Sequence, residues 1–155
     1  MFPSRRNWLH RAALAALATQ LPRWAWSQPV ALQGDPFALG VASGEPSPDG
    51  VVLWTRLQPE APQAALTVHW ELAHDAHFRQ IVQRGQAQAR PEWGHSVHVE
   101  LQGLAPERWY YYRFHCGAAT SPTGRTRTAP APDALPARLR LAFASCQRWE
   151  HGHYA

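Results

Sequence analysis

The 155 residues contain no lysine, only two cysteines (Cys116 and Cys146) and no long apolar run. The missing lysine is a composition bias without structural meaning, since arginine supplies all the positive charge. Two cysteines are too few for a disulfide-built scaffold, so any core must come from apolar packing. Acidic residues are absent before Gln28, a stretch that carries Arg5, Arg6, Arg11 and Arg23. From Pro29 onward 11 arginines balance 11 acidic residues. The high isoelectric point therefore belongs to the leading segment and is no sign of a nucleic-acid-binding surface; none is evident. The most apolar stretch, Ala12 to Leu21, is too short for a stable membrane span.

What is present begins with Ser4-Arg5-Arg6-Asn7-Trp8-Leu9 ahead of that Ala-rich run. Paired arginines, an aromatic, a leucine and then a weakly apolar stretch resemble a twin-arginine export signal, here residues 1–27. Arg5 and Arg6 are the signal residues. Cleavage after Ser27 and after Ala18 both fit. An amphipathic N-terminal helix with Leu14 and Leu17 on one face is the competing reading, but Pro22 breaks it. Twin-arginine export carries folded proteins, which suits an enzyme that takes up metal first.

Eight Trp, five Phe, four Tyr and 14 Pro, with few helix-friendly runs after the leader, favour an all-β domain. Short apolar runs alternate with turn signals. Strands are expected at Phe37–Ser43, Val51–Leu57, Leu66–Leu72, Gln80–Ala89, Ser96–Leu101, Trp109–Cys116 and Thr123–Thr128. Leu66, Val68, Trp70 and Leu72 form one apolar face, with Thr67, His69 and Glu71 facing away. About seven such strands fit an immunoglobulin-like or fibronectin-like β-sandwich over residues 30–130.

Leu104, Pro106 and Tyr110 have the spacing of a sandwich corner, in which a strand-opening tyrosine bonds back to the preceding turn. Tyr110 takes that role; a plain strand aromatic is the alternative. His74-Asp75-Ala76-His77 has the residue types of a metal cluster but reads as a solvated loop after a strand. His95 and His98 fall on opposite faces and do not chelate one ion.

A proline-rich linker, residues 131–137, leads to an apolar strand, Arg138–Ser145, and then Cys146. A cysteine just past a strand's carboxyl end reads either as a small buried residue or as a metal ligand. A disulfide between Cys146 and Cys116 would compete with metal binding.

Several blocks in order carry a specific resemblance: Phe37 to Pro46, Asp49 to Leu57 with Trp54 at its centre, Tyr110 to Phe114, Gly124 to Pro130, and Phe143 to Gln147. Together they resemble the alkaline phosphatase D (PhoD-like) family. The resemblance implies a fibronectin-like N-terminal domain, in which Tyr110 and Trp54 are structural, followed by an α/β metallophosphatase domain. Residues 138–155 would be the truncated start of that domain. It implies a periplasmic or secreted phosphoric ester hydrolase acting on phosphate monoesters and diesters. It implies Cys146 as an iron ligand in a site of iron and calcium, with the catalytic residues beyond Ala155. The implied partners are a phosphate ester substrate and the twin-arginine export machinery. A fragment of this extent is expected to be inactive. A stand-alone secreted fibronectin-like binding module is the alternative.

Overall fold

The structure, a computed structural model, describes residues 34–59 and 64–138. Arg5, Arg6, the expected strand beyond Arg138 and Cys146 lie outside the described residues.

Among the described residues, eight strands form two antiparallel sheets. They are β1 (Val41–Gly44), β2 (Val51–Arg56), β3 (Leu66–Ala73), β4 (Ile81–Ala89), β5 (Ser96–Leu101), β6 (Trp109–Cys116), β7 (Ala119–Thr120) and β8 (Gly124–Arg127). One sheet has the order β1–β2–β5. The other runs β4–β3–β6, with β7 and β8 both pairing with β6. The fold is an all-β sandwich, as the alternation predicts.

Period-2 patterning puts the core where the sequence places it. Val51, Leu53 and Thr55 of β2 face Leu66, Val68 and Leu72 of β3 and Tyr110, Tyr112 and Phe114 of β6, all buried. Thr55 is a buried polar residue in this core, and its hydroxyl donates to the Gly40 carbonyl at 2.9 Å. Burial without that bond would cost about 1–3 kcal/mol. Trp54 lies on the opposite face of β2, half-buried, between its cross-strand partners Ala42 and His98.

Two differences from the expected strands have local causes. Phe37 to Gly40 is a turn, and the first strand begins only at Val41. The Asp35 carboxylate accepts the Phe37 N–H at 2.9 Å, and the Gly40 N–H bonds to the Phe37 carbonyl at 2.7 Å. That short-range bonding takes the backbone groups a strand would use. The structure also adds β7 ahead of β8, which keeps within the expected Thr123–Thr128. Their partners on β6 shift by one residue between the two, around Ser121-Pro122. Pro122 has no N–H to give to the ladder, and the Ser121 hydroxyl accepts the Phe114 N–H at 2.9 Å instead.

Candidate functional site

The corner between β5 and β6 is built around Tyr110, which is 1% exposed. Its hydroxyl accepts the Ala105 N–H at 2.9 Å. Sequence spacing did not single out Thr128, which completes the same corner. The Thr128 hydroxyl donates to the Ala105 carbonyl at 2.7 Å and accepts the Arg108 N–H at 3.0 Å. The Glu107 N–H bonds to the Ala129 carbonyl, and the Ala129 N–H to the Ser47 carbonyl, each at 2.9 Å. Glu107 adopts φ +54, a left-handed conformation held by these bonds. The chain that leaves β8 is thus fastened to two loops before the proline-rich segment starts.

His74 is not a solvated loop histidine. It is half-buried, and its ring stacks on Tyr110 with centroids 5.3 Å apart. Asp75 organises the β3–β4 turn by accepting the N–H groups of His77, Arg79 and Gln80 at 3.0, 3.1 and 2.8 Å. What burial its carboxyl has would raise its pKa, but these bonds outweigh that and hold it below the usual value. A carboxylate so committed to its own backbone is a turn device. Among the described residues no three His, Cys, Asp or Glu side chains converge as a metal site would require. Iron and calcium therefore find no cage among the described residues. Cys116 is a buried free thiol whose pKa is raised by that burial.

The outer face of the larger sheet concentrates charge. Glu71 on β3 lies between Arg84 on β4 and Arg113 on β6. Arg113 donates from Nε at 2.9 Å and from Nη2 at 2.7 Å to Glu71 Oε2, and its guanidinium lies 3.9 Å from the Phe78 ring centre. His115 Nε2 stands 3.4 Å from the same oxygen, with its Nδ1 3.0 Å from the Thr120 hydroxyl. Partial burial pushes the Glu71 carboxyl up, but the bonds and charges of Arg113 and His115 prevail and hold it down. Next along β6, Trp109 is 47% exposed, with the guanidinium carbons of Arg125 and Arg127 at 4.4 and 5.6 Å from its ring.

At the other end of the sandwich, a cleft of about 210 Å³ opens between β4 and β5. Gln88, Arg90, Trp93, Ser96 and His98 are among its lining residues. It holds no convergent acid–base or nucleophile pair.

Residues 23–130 match the family described as PhoD-like phosphatase, N-terminal domain. The chain is 54% identical over 125 residues to alkaline phosphatase D of Bacillus subtilis (strain 168), a match covering 77% of this chain and 21% of that protein. A solved structure of PhoD superposes with a TM-score of 0.74 at 52% identity, covering 78% of this chain and 24% of that one. The chain thus spans less than a quarter of the length of these relatives.

Proposed function

The chain belongs to the PhoD-like phosphatase family, and from that membership we propose that it is the N-terminal part of an exported, metal-dependent phosphoric ester hydrolase. The observation that carries the reading is the 54% identity to alkaline phosphatase D across 125 residues. Export rests on the Arg5-Arg6 leader, read as a twin-arginine signal. Among the described residues no helix is long and apolar enough to cross a membrane.

Cys146 is the first ligand of the metal centre in this reading, and residues past Ala155 supply the rest. Iron and calcium, when bound there, would acidify a water and neutralise charge on the phosphate oxygens. The sandwich contributes position. Tyr110, Thr128 and the Ala129–Ser47 bond fix where the chain leaves β8, which supports a bracing role.

The test is hydrolysis of a nitrophenyl phosphate by two proteins: this 155-residue chain and the product of the same reading frame carried further. Metal-dependent turnover by the longer protein alone is the expected result. Turnover by neither would favour a secreted binding module, and turnover by the short chain would place the catalytic groups within it.

A further inference from the structure

The formal neutrality of the chain after Pro29 conceals a segregation of charge. The described residues hold nine arginines and nine carboxylates. Arg84, Arg113, Arg125 and Arg127 all lie on the outer face of the larger sheet, where Glu71 is the one carboxylate on a strand. Arg113 is spent on Glu71, and Arg127 pairs with Glu107 of the corner loop at 3.1 Å. Arg84 and Arg125 are exposed and have no carboxylate partner among the described residues. Arg125 is held in place by the Trp109 ring, so little side-chain freedom remains to be lost on binding.

Arg84 and Arg125 stand three strand spacings apart and two residues out of step along the strands, on β4 and β8, which is roughly 16 Å. A single anion on this flat face reaches only one of them. A linear polyanion reaches both and gains from the counterions it releases. Half-buried Tyr111 and the Glu71–Arg113 pair lie between these arginines, and exposed Trp109 stands one step further along the same face, level with Arg127, an aromatic and basic interleaving that suits an extended, charged chain.

We propose that the outer face of the β4–β3–β6–β8 sheet is a binding surface for a linear polymer of phosphate groups. Phosphate in preference to carboxylate rests on the reading of the chain as part of a phosphoric ester hydrolase. No metal-ligand cluster occurs among the described residues of this face, so its role is to bind.

The probe is long-chain inorganic polyphosphate, titrated into the 155-residue chain by calorimetry at two salt concentrations. Binding that weakens with salt is expected, with orthophosphate too weak to register. The Arg84→Gln/Arg125→Gln double variant should bind about tenfold more weakly, with a salt slope smaller by about 2. Arg56→Gln, on the smaller sheet, removes a positive charge away from this face and should bind like the parent. Weakening by Arg56→Gln as large per charge as that of the double variant would reduce the effect to net charge and overturn the proposal. So would absence of polyphosphate binding, or poly-glutamate binding as tightly, the latter marking the face as a seat for an acidic protein. None of these outcomes bears on ester hydrolysis by the longer protein, which decides the phosphatase reading separately.

Discussion

Tyr110 and Thr128 share one task, satisfying the buried backbone of a corner that would otherwise hold unpaired groups. Removing the tyrosine hydroxyl leaves the Ala105 N–H without its partner. Tyr110→Phe should lower stability by about 1 kcal/mol, read as a shift in the urea midpoint; an unchanged midpoint would deny the hydroxyl a structural part. Tyr110 was legible in the sequence because leucine, proline and tyrosine recur at a fixed spacing in such corners. Thr128 was not, because its partners Ala105 and Arg108 bond through backbone atoms that any residue would supply. His74 was misread for a similar reason. Its polar type says solvent, but the ring is captured by Tyr110, which only the folded corner brings near. Burial also sets a pH dependence. Cys116 and Tyr112 both have raised pKa values, chiefly from desolvation, opposed in Tyr112 by a bond to Ser43. A raised pKa means the native state favours the protonated form. Their contribution is therefore complete below the ordinary thiol value and is lost as pH rises through the folded-state values. Stability should fall as pH rises past the ordinary thiol value of about 8.5 into the alkaline range, and Cys116→Ala should flatten the first part of that fall. A flat urea midpoint across the range would contradict the burial.

At the scale of elements, the strands with clean alternation were the legible ones. β2, β3, β5 and β6 each bury every second residue along most of their length, and their bounds agree with the pattern to within one residue. β7 was hidden because a two-residue strand has no period to detect. Pro122 marked where the ladder shifts without stating its effect. Cross-strand glycines carry information of the same kind. Gly124 faces Tyr112, and Gly85 faces Trp70. A Cβ at Gly124 would overlap the Tyr112 ring, which is buried between the sheets and cannot withdraw. A Cβ at Gly85 would meet Trp70 at 2.6 Å, but that ring is only partly buried and can shift. Gly124→Ala should cost about 1–3 kcal/mol and Gly85→Ala less, measured by thermal unfolding of each variant. The reverse order would mean that the Tyr112 ring has room to move.

For the whole molecule, the proposed function makes the sandwich a support. The fold followed from apolar alternation and turn residues, which act locally and so can be read locally. Catalysis by metal ions needs ligands gathered from distant positions, and among the described residues no such gathering occurs. The charged sheet face was equally hidden: Arg84 and Arg125 are 41 positions apart in sequence and meet only through pairing across β3 and β6. In the proposed function Cys146 is the first ligand of the metal centre. The most direct measurement is the iron content of the longer protein, purified with and without Cys146→Ala. Loss of most of the iron together with ester hydrolysis is the expected result. Iron retained at the parent level in the variant would contradict the metal centre proposed for this chain.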